Sequence, residues 1–338
     1  MNKLFTCLVA FVFLLIPTGS MAGSLFNLIT PQSLDEKVKA CEKGDATECF
    51  DVGNSYRTGM GAPKNLDQAE KYLSLACKGG HKSACNSLYR VGYIFQRGKG
   101  DRGEKIAKDQ VRAMNIWKAG CDAGYGLSCT ALGSVYEGGK VVKKNMDKAL
   151  ELYRAGCKRR SIKGCRKVGE LTQAKDPAAA LKFFEKSCRW KDSRACAGAG
   201  FLYLEGKGVK QDHAVAAQFL IKSCDKMPRK NDPRGCLALG GLYEKGLGVQ
   251  KDQTEAVKYY RKSCMYKGLR LAEGCFKLAQ AYQTGRGVKA NGNSAREYFG
   301  QACKLRLKKG CVEKYRDECK RLKIPGSCAW LKKHGYKK

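Results

Sequence analysis

The sequence predicts an all-α solenoid, a row of stacked αα-hairpin repeats stapled along one edge by a disulfide in each repeat. Three observations carry that prediction. Beyond the N-terminal segment, 18 of the 19 cysteines fall into nine pairs, six of them eight residues apart. Second cysteines of the first eight pairs follow one another at 36, 44, 36, 31, 40, 39 and 36 residues. A base period with insertions and deletions is the mark of a repeat array. Around each pair, side chains of matched size recur in steps of four, which puts them on one face of a helix.

The helix before each first cysteine, helix B, comes from the clearest pattern. Ala stands eight residues back and a large apolar residue four back in seven units, as in Ala69-Leu73-Cys77, Ala149-Tyr153-Cys157 and Ala256-Tyr260-Cys264. The small residue permits close approach of a neighbouring helix and the large one fills the space beside it. Helix A follows the second cysteine, with Gly at the fourth position (Gly53, Gly133, Gly169, Gly200, Gly240) and Tyr at the seventh (Tyr56, Tyr136, Tyr203, Tyr243, Tyr282). Gly inside a helix costs ~1 kcal/mol in propensity, so its recurrence implies tight helix packing. Turns such as Gly206-Lys207-Gly208-Val209 end helix A, and Asp212 or Asp252 suits the start of helix B.

These residues resemble the Sel-one-like repeat family, the tetratricopeptide-related αα repeats; Leu239–Val249 reads Leu-Gly-x-x-Tyr-x-x-Gly-x-Gly-Val. A cysteine pair in every unit is similar to the cysteine-rich secreted branch, the Helicobacter cysteine-rich protein family. The resemblance implies a tetratricopeptide-like superhelix of seven repeats over residues 49–310. An N-terminal segment and capping half-repeat would occupy 23–48, and a C-terminal half-repeat with a basic tail 311–338. Two units depart from the pattern. The one after Cys85 has three extra residues in helix A and a longer loop near Gly100–Asp109, and the one after Cys165 lacks the Gly-x-Gly-Val turn.

Residues 1–22 read as a cleaved signal peptide: Lys3, an apolar run from Leu4 to Ile16, then Ser20 and Ala22 at the small-residue positions. The run is too short to cross a bilayer, and no later stretch approaches ~18 uninterrupted apolar residues. The expected location is therefore periplasmic or secreted, and Cys7 leaves with the peptide.

Export, an even count and one pair per unit favour local disulfides. The expected bridges join Cys41 to Cys49, Cys77 to Cys85, Cys121 to Cys129, Cys157 to Cys165 and Cys188 to Cys196. Four more join Cys224 to Cys236, Cys264 to Cys275, Cys303 to Cys311 and Cys319 to Cys328. Each bridge would contribute roughly 2–3 kcal/mol by the chain-entropy model. Zinc is the competing reading, and the lack of any Cys-x-x-Cys, with His only at 81, 213 and 334, argues against it. No metal or other cofactor is expected.

No hydrolase, metalloprotease or phosphate-loop motif occurs. The Helicobacter branch resemblance implies penicillin binding and weak β-lactamase activity. The Ser-x-x-Lys that such chemistry uses is present at Ser223 and Lys226, but Ser-Asp-Asn and Lys-Thr-Gly are absent. Ser223 also occupies a position at the end of helix B that repeats as Ala76, Ser187 and Ser263.

Charge gives the second functional signal. The chain carries +34, and the 71 residues between paired cysteines hold 23 Lys/Arg against 8 Asp/Glu. One edge of the solenoid should be a basic ridge, suited to an anionic polymer, lipid or acidic protein. Nucleic acid is disfavoured by export and by the lack of a recognised module. Charged edges and caps also keep an array soluble, and a monomer is expected. On the concave face, the fifth and eighth positions after the second cysteine form polar rows that include Asn54, Arg57, Glu137, Glu244 and Gln283. Phe201 and Leu204 interrupt the row and suggest a peptide hot spot, against the alternative that local packing buries them.

The combined reading is an exported, non-catalytic scaffold for protein–protein interaction. A penicillin-binding, weakly hydrolytic protein and an electrostatic binder of anionic envelope polymers are its alternatives. A chromogenic β-lactam assay separates the first two. The scaffold reading expects no turnover from the purified folded chain, whereas turnover that falls in Ser223→Ala favours the hydrolase.

Overall fold

The computed structural model describes residues 33–225, 232–266 and 271–336. The expected signal peptide and Lys226 lie outside the described residues. The described chain is entirely helical apart from loops and one isolated bridge between Lys99 and Lys105. A capping helix α1 (Leu34–Glu42) precedes alternating A and B helices. The A helices are α2 (Ala46–Thr58), α4 (Lys82–Arg97), α6 (Gly126–Gly138), α8 (Ile162–Thr172), α10 (Ser193–Glu205), α12 (Pro233–Lys245), α14 (Ala272–Thr284) and α16 (Lys308–Lys320). The B helices are α3 (Leu66–Lys78), α5 (Gln110–Asp122), α7 (Met146–Lys158), α9 (Pro177–Arg189), α11 (His213–Cys224), α13 (Gln253–Met265), α15 (Gly292–Lys304) and α17 (Pro325–Lys333). Each helix packs on its sequence neighbours, and several A helices also touch the next A helix, as a solenoid requires.

The repeated residues interlock as their spacing predicts. The helix-A glycine faces the large helix-B residue. A Cβ on Gly133 would lie 2.9 Å from the Tyr153 ring, on Gly240 2.7 Å from Tyr260, and on Gly169 2.7 Å from Phe184. Trp117, which faces Gly92, and Tyr153 are fully buried as a result, each contributing about 1.5–3 kcal/mol. The recurrent tyrosine has two roles in the same turn. Its ring stacks on an aromatic of helix B, as in Tyr203–Phe219, Tyr243–Tyr259 and Tyr282–Tyr298, with centroids 5.5–5.6 Å apart. Its carbonyl accepts the N–H of the helix-B cap, at 3.1 Å for Asp212 and 3.0 Å for Asp252. Those caps accept in turn from the first-turn amides at Ala214 and Val215, and at Thr254 and Glu255. In the turn itself, Gly248 has φ +68°, and its would-be Cβ meets the backbone of His213 at 2.2 Å. Only Gly both adopts that conformation and fits that contact.

All nine expected disulfides are present. Cys41 is bonded to Cys49, Cys77 to Cys85, Cys121 to Cys129, Cys157 to Cys165 and Cys188 to Cys196. The wider-spaced pairs close in the same way, Cys224 with Cys236, Cys264 with Cys275 and Cys319 with Cys328, as does the eight-residue pair Cys303 with Cys311. Their Cα–Cα distances are 4.4–5.1 Å. Such short separations hold the end of each B helix, or of the capping helix, against the start of the next A helix. Space beside the bridge is scarce, and the residue before each bonded cysteine is Gly, Ala or Ser at every position except Glu48 and Glu318. Ser128 sits against Gly120, Ser223 against Gly235, Ser263 against Gly274 and Ala302 against Gly310. Among the described residues the hydroxyls of Ser128, Ser223 and Ser263 have no hydrogen-bond partner. They fit as small residues, not as polar ones.

The irregular units are as the sequence indicates. Helix α4 is lengthened to 16 residues, and the loop after it folds back on the preceding unit. There Asp101 pairs with Arg57 and Arg90, and Glu104 with Lys64. Helix α8 is shortened to 11 residues, and the chain passes through Asp176 straight into α9.

The Ser223–Gly235 contact makes opposite predictions for two small substitutions. Gly235→Ala would place its Cβ 2.5 Å from the Ser223 hydroxyl. It is expected to destabilise the oxidised chain by about 1–3 kcal/mol. Ser223→Ala removes an unpartnered buried hydroxyl and is expected to be neutral or stabilising by up to ~1 kcal/mol. Urea midpoints of the two variants test both.

Candidate functional site

Four successive B-to-A connections, those closed by Cys121–Cys129, Cys157–Cys165, Cys188–Cys196 and Cys224–Cys236, form most of the lining of one groove of about 1360 Å³, to which Lys82 of the preceding connection and Tyr266 of the following one also contribute. It is the expected basic ridge folded into a trough. Eight basic and three acidic side chains line it. Arg166 and Arg234 are spoken for. Buried Arg166 pairs with Glu170 and, at 3.1 Å, with Asp192, and Arg234 pairs with Asp232 at 2.6 Å. Lys82, Arg159, Arg160, Lys163, Lys191 and Arg194 have no carboxylate within ion-pair distance among the described residues, and all are exposed.

The backbone of two of these cations is unusual. The residue three after the first cysteine has positive φ in each eight-residue connection. Gly44, Gly80 and Gly124 occupy it at +100°, +85° and +88°. Arg160, Lys191 and Arg306 occupy the same position at +64°, +65° and +66°. A side chain in the left-handed region costs about 1–2 kcal/mol. Arg160 and Lys191 line the groove, as does Gly124, and Arg306 lies outside it.

A second pocket of about 430 Å³ opens off the trough and shares Glu170, Arg194 and Arg234 with it. Its walls include Phe184, Gly198, Phe201 and the turn residues Gln173 and Ala174. That turn is the one the shortened α8 leaves in place of the Gly-x-Gly-Val loop.

The polar row expected along helix A is more structural than a free recognition surface. Arg57 is buried beneath the inserted loop and donates to Asn54 at 2.8 Å as well as pairing with Asp101. Burial lowers its pKa from the ordinary arginine value. Glu137 accepts from the Tyr153 hydroxyl at 2.6 Å and from Lys167 at 2.9 Å. Glu244 accepts from Tyr260 at 2.6 Å and from Lys277 at 3.1 Å. Burial opposes the charge on both carboxyls, but the tyrosine and lysine hydrogen bonds outweigh it and hold both below the usual glutamate range. Gln283 is exposed. Leu204 is half-buried on the apolar cluster around Leu220 and Leu239, and Phe201 touches the same cluster while also lining the side pocket. Ser223, by contrast, is wholly buried at a helix contact and presents no hydroxyl to solvent.

Reading the rows separately missed these Tyr–Glu–Lys triads, although a sequence signal exists. Glu stands at the eighth position after the second cysteine only in the two units whose helix-B large residue is Tyr and whose following unit has Lys two after its cysteine.

Comparison with known proteins agrees with this architecture. The family model for the Sel1 repeat matches residues 49–81, 86–125, 126–161, 165–189, 193–226, 233–265 and 272–306. Cytochrome c oxidase assembly factor 7 of Xenopus tropicalis is 25% identical over 187 residues, 55% of this chain and 67% of that protein. Among solved structures, a protective antigen present in uropathogenic Escherichia coli strains, displaying an SLR fold, superposes with TM-score 0.69 at 21% identity. The match covers 86% of this chain and 60% of the antigen. Cysteine rich protein B of Helicobacter pylori is 29% identical over 39% of this chain and 93% of its own, with TM-score 0.31.

The triads make acid stability testable. A carboxyl whose folded pKa lies below its unfolded value stabilises the fold above about pH 4.3, and that contribution is lost as pH falls through the folded pKa. Glu137→Gln with Glu244→Gln should therefore cost about 1–2 kcal/mol per site at neutral pH. The gap from the unsubstituted chain should close on acidification below the ordinary glutamate range. Urea unfolding of both proteins across that range checks the sign.

Proposed function

The chain belongs to the Sel1 repeat family, and from that premise we propose that it is an exported scaffold that binds protein partners in the cell envelope or outside the cell. The trough across four units carries the reading: a recess of about 1360 Å³ lined by disulfide-closed connections is a preformed recognition surface. Nine disulfides support an oxidising compartment, because such bridges persist there and are rare in reducing ones. The likeness to an assembly factor supports work on other proteins rather than on a small substrate. A hydrolytic role through Ser223 has no support from its buried position.

The test is a pull-down from envelope and extracellular extracts with the oxidised chain, washed at low and then high salt. A discrete protein retained at high salt, and released when the disulfides are reduced, is the expected result. Recovery of acidic polymers alone, all lost at high salt, would replace the scaffold with an electrostatic binder. N-terminal sequencing of the exported protein should begin at Gly23.

A further inference from the structure

We infer that the trough and its side pocket form one site for an acidic peptide segment with a bulky apolar anchor residue. Carboxylates would lie over the cationic connections and the anchor would sit against Phe201. The inference rests on the scaffold reading and names its site and the chemistry of its partner.

Two independent observations converge on it. The six exposed cations have no carboxylate partners among the described residues, and five of them (Arg159, Arg160, Lys163, Lys191 and Arg194) come from two adjacent connections, so an anionic segment lying across those connections meets them together. Arg160 and Lys191 place two of these cations on the left-handed turn position, which Arg306 also occupies outside the trough. The side pocket comes from the deletion in one repeat: α8 stops at Thr172, and the short turn through Gln173 and Ala174 leaves Phe201 at an open wall. Because Glu170, Arg194 and Arg234 belong to both recesses, an anchor in the pocket and charges along the trough can belong to one ligand.

A peptide fits better than a uniform polyanion. The trough wall also carries Glu170, Asp192 and Asp232, together with Tyr125, Leu127 and Ile162. Carboxylates in the wall repel a continuous run of negative charge, and apolar side chains add nothing to a sulfated or phosphorylated polymer. A peptide that alternates acidic, apolar and neutral residues satisfies all of them.

The test is selection of a random dodecapeptide phage library on the oxidised full chain. Fluorescence anisotropy with the selected peptide, made synthetically, then measures binding. The expected peptides are enriched in Asp and Glu around a Phe, Trp or Leu and bind one to one. Arg194→Glu and Ala174→Trp should each weaken binding about tenfold, as should Ala in place of the peptide's anchor. Ala174→Trp and the anchor substitution should not add, because both remove the same contact. Arg160→Gly, which relieves backbone strain and cannot unfold the connection, should weaken binding about threefold. Selected peptides with no acidic bias, or affinities unchanged in all three variants, would overturn the site while leaving the scaffold reading intact. Sulfated dextran bound as tightly as any peptide, with the anchor irrelevant, would also overturn it in favour of a polymer. No peptide enriched above background would overturn the site, while the pull-down decides the scaffold reading separately.

Discussion

The structure depends on how closely helix B of one unit approaches helix A of the next. Disulfides hold the Cα atoms of each cysteine pair 4.4–5.1 Å apart, and helices that close leave room for little more than Gly, Ala or Ser beside the bridge. Within six hairpins the same rule operates further from the bridge. A helix-A glycine receives the face of a Tyr, Trp, Phe or Leu from helix B, so packing is by insertion of a large residue into a missing one. Stacked aromatics and capped turns then fix where the next hairpin starts.

That rigidity explains why the two irregular units matter. An insertion in a solenoid need not disturb its neighbours if the extra chain finds contacts of its own, and the loop after α4 finds them in Arg57, Lys64 and Arg90. A deletion cannot be healed in that way. The shortened unit at α8 leaves a vacancy beside helices that the adjacent disulfides hold in place, and the side pocket is that vacancy. A defect in the repeat thus becomes the feature that distinguishes one part of an otherwise uniform surface.

Charge is divided between two jobs. Carboxylates along helix A are used internally, in the Tyr–Glu–Lys contacts that tie a unit to the one after it. The connections hold 23 Lys and Arg against 8 Asp and Glu in 71 residues, so few acids are available there to neutralise the excess. Even the left-handed turn position, suited to Gly, is given to Arg or Lys in three connections. Mutual repulsion among these cations opposes folding, and the covalent bridges beneath them offset it.

Most of the fold could be read from the chain alone. Steps of four, a 36-residue period and paired cysteines are local constraints, and local geometry converts them directly into helices, hairpins and bridges. The basic edge was readable for the same reason, since each connection carries its own charge. What a residue does across units was not. Arg57, Glu137 and Glu244 look like open recognition positions by spacing, yet partners 16 to 44 residues away consume them. Ser223 looks like half of a catalytic motif and is a spacer against Gly235. The trough and its side pocket exist only where four connections and one shortened helix meet, because a recess belongs to the relative placement of units, and spacing along the chain specifies only each unit's interior.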